Sequence, residues 1–241
     1  MANISIIVLN RQGGDMSVKT LLGLVAHLDA EVIYVTPRLD DEVMATDFYP
    51  TLIPVECPAG AVGQADRIMG TRSATGEYLL YSDTESFFHP WELSNMTAML
   101  TENTPIALRL HRPKGREADN TPDMAAMALN AMLAQPHLAA SSLLRFPHGL
   151  HRDLFRTVDI DALEVPPRFL VQAVLDGRRA DTFYRAEDPR SDGAQDHSAL
   201  IASYLDAIDE LLQKRGPRGG FTDFDRQRDP WRFAIPGRPQ P

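Results

Sequence analysis

The sequence predicts an α/β fold, a mostly parallel sheet with helices on both faces, followed by an irregular C-terminal arm. Three observations carry that expectation. Short apolar runs rich in β-branched residues recur, as in Ile4-Ser5-Ile6-Ile7-Val8-Leu9 and Tyr78-Leu79-Leu80-Tyr81, and suit strands buried on both faces. Segments with apolar residues at three- and four-residue spacing alternate with them, which is the pattern of helices crossing over a parallel sheet. The 241 residues are 44% hydrophobic and 24% charged, ordinary globular values that allow one sizeable core.

Taken in order, Ile4 to Leu9 is the first strand and ends at the polar loop Asn10 to Asp15. Val18, Leu21, Leu22, Val25 and Leu28 give the next segment one apolar helical face. Glu31 to Val35 is the second strand, stopped by Pro37, and Leu52 to Val55 is a weaker third strand interrupted by Pro54. Ala65 to Ala74 reads as a helix, with Gly76 in the position that commonly follows a helix end. Tyr78 to Tyr81 is the fourth strand and runs into Ser82-Asp83-Thr84-Glu85. Helices follow at Glu92 to Leu100 and Asp123 to Ala134, with a strand at Ile106 to Leu110 between them. A strand near Ser142 to Phe146, a helix near Arg168 to Leu175, a strand near Ala180 to Tyr184 and a helix from Ser198 to Lys214 complete the pattern. The expected division is a domain over residues 1–214 and an arm over 215–241.

From Lys214 to Pro241 there are five prolines and four glycines in 28 residues, a composition that resists regular structure. Seven basic residues against three aspartates give this stretch a charge of +4, and Phe221, Phe224, Trp231 and Phe233 are more aromatic than a free linker carries. The arm is therefore expected to fold back over the acidic body or to dock on a second subunit.

The net charge of −9 disfavours general nucleic-acid binding. The single cysteine, Cys57, cannot form an internal disulfide, and no apolar run approaches the ~18 residues needed to span a bilayer. No secretory signal precedes Ile4, so the expected setting is the cytoplasm, with peripheral membrane contact and homo-oligomerisation left open.

Asp83 and Glu85 are alternate residues on an extended segment, so both can face one side at the carboxyl edge of the sheet, where ligands of such folds bind. Carboxylates there suit Mg²⁺ or Mn²⁺, which neutralises the charge that develops on a departing diphosphate. The plain alternative is an acidic turn with a helix cap. Imidazole can complete such a shell. His148, His151 and His197 are the candidates, and His151 in Gly149-Leu150-His151-Arg152 is preferred. Arg109, Arg112, Lys114 and Arg116 form a basic loop able to clamp a diphosphate or an anionic acceptor.

Gly63-Gln64-Ala65, Gly70, Ala74 and Gly76-Glu77-Tyr78, then a strand ending in Asp83-Thr84-Glu85 and His89-Pro90, resemble family 2 glycosyltransferases before and through their metal-binding acidic motif. The opening Ser5 to Leu9 with its following helix is similar to that family's start. The polyprenyl-phosphate sugar transferases are the nearest likeness, through Ile106 to Arg112, a helix bearing Asn130, and the stretch Arg190, Gly193 and Ser198.

The resemblance covers roughly residues 3–200 and implies a GT-A-like fold. It implies a metal-dependent transfer of sugar from a nucleotide-sugar donor to a hydroxyl or phosphate acceptor. The site it implies has Leu9, Thr36, Arg67, Asp83 and Arg112 on the donor, Asp83, Glu85 and His151 on Mg²⁺ or Mn²⁺, and Glu164 as general base. Thr36 stands where the family usually has an aspartate that reads the base, and Glu164 is followed by Val165-Pro166-Pro167 where a second acid is usual.

Two other classes compete. A GT-A-like protein that binds without catalysis would share the fold. Gly13-Gly14-Asp15-Met16-Ser17-Val18-Lys19-Thr20 has the setting of a nucleoside triphosphatase P-loop, but Val18 occupies the position where a glycine lets the backbone wrap the phosphate.

Overall fold

The computed structural model describes residues 3–11, 30–39, 52–58, 64–84, 90–113, 121–184 and 197–216. Seven strands, β1 (Ile4–Leu9), β2 (Ala30–Thr36), β3 (Leu52–Glu56), β4 (Tyr78–Asp83), β5 (Ile106–Arg109), β6 (His148–His151) and β7 (Ala180–Phe183), form one sheet in the order β3-β2-β1-β4-β6-β5-β7. All neighbours are parallel except β6, which runs antiparallel to both β4 and β5. Five α-helices are described: α1 (Ala65–Ser73), α2 (Pro90–Met99), α3 (Thr121–Met132), α4 (Pro166–Leu175) and α5 (His197–Arg215).

Alternation along each strand divides the core in two. Ile7, Leu9, Val35, Leu79 and Tyr81 pack with α1, α3, α4 and α5 on one face. Ile6, Val8, Val32, Tyr34 and Leu80 pack with Leu93 and Met96 of α2 on the other. β1 and β4 are central and apolar on both faces for this reason.

Most expected elements are present within a residue or two. The strand expected near Ser142 to Phe146 is absent. Those residues form a turn, with Arg145 N–H donating to Ser142 O at 3.2 Å and Leu144 N–H to Ser142 Oγ at 3.1 Å, and the strand is His148–His151. Leu143, Leu144 and Phe146 are buried, but as turn residues capping the core.

Gly76 also has a different role from a helix-end glycine. Helix α1 ends with Ala74 in extended backbone, and Arg152 holds its C-terminus by donating from Nε to Gly76 O at 2.6 Å and from Nη2 to Ala74 O at 2.7 Å. What requires glycine at 76 is contact: a Cβ there would lie 2.6 Å from Ser5 Oγ and 2.7 Å from Ser5 N. Glu31 locks the same junction, accepting from Ser5 Oγ at 2.5 Å, Thr75 Oγ1 at 2.9 Å and Gly76 N at 3.1 Å. Burial pushes the Glu31 carboxyl up, but these donors outweigh it and hold it below the usual range.

The expected helix over residues 18–28, Glu85 and the arm from 217 to 241 lie outside the described residues, as do Lys19, Lys114 and Arg116. Among the described residues no helix is long and apolar enough to cross a membrane.

Candidate functional site

The carboxyl ends of β1, β2 and β4 form one edge, and Leu9 and Asp83 are in register across it. Asp83 is half-buried there, on the side of the sheet covered by α1. The backbone extends the β1–β2 pairing by one residue, since Asn10 N–H donates to Val35 O at 2.8 Å. Leu9 therefore brings main chain to the edge while its side chain is core. Thr36 closes β2 at the same edge, nearly buried, its hydroxyl donating to Arg38 O at 3.1 Å.

Helix α1 starts at this edge, and two arginines meet at its first turn, Arg67 on the helix and Arg11 from the segment after β1. Arg11, absent from the sequence-derived site, grips Asp66 with Nε to Oδ2 at 2.6 Å and Nη2 to Oδ1 at 3.1 Å, and also donates to Gln64 Oε1. Its side chain keeps 36% exposure. Arg67, expected to touch the donor, is fully buried and reaches no surface. Its Nε donates to the same Gln64 Oε1 at 2.8 Å, its Nη1 lies 2.9 Å from His148 Nε2, and its guanidinium covers the Phe146 ring at 4.3 Å. Arg67 thus supports the edge from beneath, while Arg11, 5.5 Å from the same ring, presents the cation. Burial first, then the neighbouring Arg11 charge, lowers the Arg67 pKa to about 9, against the opposing carboxylates of Asp66 and Asp83.

His148 completes this buried layer. It is stacked between Tyr81, with ring centroids 4.9 Å apart, and Phe146, at 5.3 Å. Arginine can only donate, so His148 Nε2 must accept from Arg67, and Nδ1–H must donate to Arg145 O at 2.9 Å. Burial, then the Arg67 charge, holds this imidazole well below its usual pKa. With its one lone pair engaged, His148 has none for a metal.

His151 does not join Asp83. The antiparallel pairing sets Tyr78 opposite His151 and Tyr81 opposite His148, so His151 stands at the amino end of β4, about 16 Å along the strand from Asp83 at ~3.3 Å per residue. There its Nδ1 accepts from Asp153 N at 3.2 Å and its Nε2 meets Glu77 Oε1 at 3.2 Å. His197 is exposed at the start of α5. Glu164 is also exposed, at the end of the 3₁₀ turn Ile160–Glu164, whose Asp161 pairs with Arg72 in the last turn of α1. Its charge is felt by Arg168 on α4. Among the described residues no three acidic, histidine or cysteine side chains converge as a ready metal cage.

The end of β5 and the residues after it bring buried Arg109, half-buried His111 and exposed Arg112 to the same edge. His111 Nε2 lies 3.0 Å from Asp123 Oδ2 in the first turn of α3, and Arg145 Nη2 donates to Asp123 Oδ1 at 2.7 Å. Burial pushes the Asp123 carboxyl up, but His111 and Arg145 more than reverse this and keep it ionised. The expected Asn130 is buried and anchors the following turn, donating to Ala139 O at 2.9 Å and Ser141 O at 3.0 Å. Sequence reading missed His111 and Asp123 because they are twelve residues apart. The signal within reach was a Thr-Pro-Asp helix start just after a strand and basic loop.

No family model matches the chain, and no curated protein matches it. Solved structures do. Glucosyl-3-phosphoglycerate synthase from Mycobacterium tuberculosis, in complex with Mn²⁺, uridine diphosphate and phosphoglyceric acid, superposes with a TM-score of 0.60 at 13% identity, over 89% of this chain and 79% of that one. Mannosyl-3-phosphoglycerate synthase from Rubrobacter xylanophilus gives a TM-score of 0.60 at 16% identity, over 89% of this chain and 75% of that one. The mixed sheet, the crossover helices and the carboxyl edge ending in Asp83 therefore belong to a GT-A-like α/β fold, the architecture this chain shares with those synthases.

Proposed function

We propose that this chain is a metal-dependent glycosyltransferase that moves a sugar from a nucleotide-sugar donor to an acceptor bearing a hydroxyl and a phosphate. The observation that carries this reading is the position of Asp83, at the carboxyl end of the central strand β4 and in register with the end of β1. A sheet of this kind binds ligands at that edge, and structures sharing the fold are complexes of Mn²⁺ with uridine diphosphate.

The donor set fits a hard divalent cation in part. Asp83, with Glu85 two residues on, supplies carboxylate oxygens of the kind Mg²⁺ and Mn²⁺ take. His148 and His151 are withdrawn from the shell on the geometry above, so donor phosphate oxygens and water would complete it. When bound, such a cation stabilises the leaving diphosphate as a Lewis acid. Arg11 adds a half-exposed cation at the same edge, held in place by Asp66 and Gln64.

Arg112, exposed past the end of β5, supports an anionic acceptor. A structure sharing the fold is a complex with phosphoglyceric acid, and the polyprenyl-phosphate sugar transferases, the nearest likeness in sequence, take a phosphate-bearing acceptor. A phosphate is the feature these acceptors share, and it is the acceptor chemistry proposed here.

Calorimetry with uridine diphosphate and Mn²⁺ on the wild-type chain and on Asp83→Ala tests the reading. Metal-dependent binding by the wild type, lost by at least about a hundredfold in a variant of unchanged circular dichroism, supports it, a difference of roughly 2.7 kcal/mol. Unchanged Mn²⁺-dependent binding in folded Asp83→Ala would remove the metal assignment.

A further inference from the structure

We propose that His111 is the general base of this site, with Asp123 and Arg145 as its positioning residues; the inference rests on the transferase reading above. An ionised carboxylate only accepts hydrogen bonds, so the 3.0 Å contact to Asp123 Oδ2 places a hydrogen on His111 Nε2. Asp123 is itself 3% exposed and fixed by Arg145 Nη2 on its other oxygen at 2.7 Å. The ring is thereby oriented by a buried, immobile acid. Nδ1 is the nitrogen left for chemistry, and it has no hydrogen-bond partner among the described residues. A base nitrogen oriented through its other ring N–H by a held carboxylate is the arrangement that proton abstraction needs.

Position agrees with this role. Tyr81, His148 and Leu108 are level across β4, β6 and β5, so Asp83 is level with residue 110, and His111 follows at the same edge. Two strand spacings separate the columns, about 10 Å. That separation leaves room for a sugar between a cation at Asp83 and an acceptor hydroxyl at His111. Arg112, the next residue, is exposed and suits the acceptor's phosphate. Glu164, the base expected from sequence, has no comparable tie to this edge.

In the step assigned to His111, the acceptor oxygen forms a bond to the anomeric carbon as Nδ1 takes its proton. The bond from that carbon to the diphosphate breaks, and its electron pair leaves with the nucleoside diphosphate. The imidazolium formed is paired with the Asp123 carboxylate and returns its proton to solvent.

Two substitutions separate this from a purely structural dyad. His111→Gln keeps an amide donor toward Asp123 and lacks a titratable nitrogen. Its expected kcat for transfer falls about 100-fold or more, with the donor KM and the uridine diphosphate Kd within threefold of wild type. In Asp123→Asn, Arg145 still donates to the oxygen it now holds, so the new amide NH₂ turns to His111. Nε2 must then accept, and the ring proton moves to Nδ1. ¹⁵N imidazole spectra of the full chain at pH 8 should therefore show the Nε2–H tautomer in wild type and the Nδ1–H tautomer in Asp123→Asn, with kcat reduced in parallel. A wild-type ring carrying its proton on Nδ1, or His111→Gln turnover within threefold of wild type, overturns the assignment of the base alone. Absence of Mn²⁺-dependent nucleotide binding by the wild-type chain overturns the transferase reading and the base with it.

Discussion

Arg67 and His148 meet inside the protein with Nη1 2.9 Å from Nε2, and the direction of that bond is fixed because a guanidinium has no acceptor. His148 is therefore neutral in the folded chain. Adding a proton would both remove the acceptor and bring a second cation against Arg67.

This sets the sign of a pH dependence. His148 is depressed well below 6.5 when folded and titrates near that value when unfolded. Its contribution is fully present above about pH 6.5 and is lost as pH falls from there toward the folded pKa, because only the unfolded chain takes up the proton. The wild-type melting temperature should drop between pH 7 and pH 5 by more than that of His148→Gln, which keeps an acceptor for Arg67 and does not titrate. Thermal melts of both proteins at each pH give the comparison. Equal slopes would mean that His148 takes up its proton alike in the folded and unfolded chain, against a depressed folded pKa.

Gly70 lies inside α1, where helix propensity alone makes alanine about 1 kcal/mol better. The packing argues the other way. A Cβ at this position would lie 2.6 Å from Ile7 Cγ2 and 3.1 Å from Val35 Cγ2, both on the central strands beneath the helix. Overpacking of this kind costs typically about 1–3 kcal/mol, and since neither strand can retreat, it should exceed the propensity gain. Gly70→Ala is thus expected to lower the denaturation midpoint in urea. A higher midpoint would show that α1 shifts off the sheet at little cost.

How much of this was readable in advance depends on what kind of contact defines each element. β1, β2 and β4 announce themselves as apolar runs because hydrophobic burial on two faces needs no particular partner. β6, His-Gly-Leu-His, does not, since both histidines are buried only through specific partners, Arg67 and Arg145 O for one and Asp153 N and Glu77 for the other. The position of Asp83 at the carboxyl edge is legible from the apolar run it closes. Arg67 looks like an ordinary exposed helix residue in Ala-Asp-Arg-Ile, and its burial depends on acceptors more than 75 residues away. Local resemblance favours His151 over His148, and one antiparallel strand direction places it at the far edge.

The Arg67–His148 contact also permits a test that no single substitution provides. Removing Arg67 alone, as Arg67→Met, leaves His148 Nε2 in the core without a donor, at a cost of about 1–3 kcal/mol beyond the packing change. Removing the imidazole alone, as His148→Leu, leaves a fully buried guanidinium without that acceptor, and burial already depresses its pKa to about 9. Replacing both ends of a buried polar contact by apolar groups of similar size abolishes both penalties and is often nearly neutral. The double variant should therefore be less destabilised than the sum of the singles, with a coupling within the range of about 0.5–3 kcal/mol found for residues in contact. Urea denaturation of the four proteins measures it directly. Tyr81 supplies an internal control, since its hydroxyl is bound to Thr71 Oγ1 at 2.6 Å and its ring stacks on His148, so its near-ultraviolet circular dichroism should report whether packing around position 148 is retained in each variant. Additive costs in four folded proteins would show that the two side chains are buried as neighbours without depending on one another.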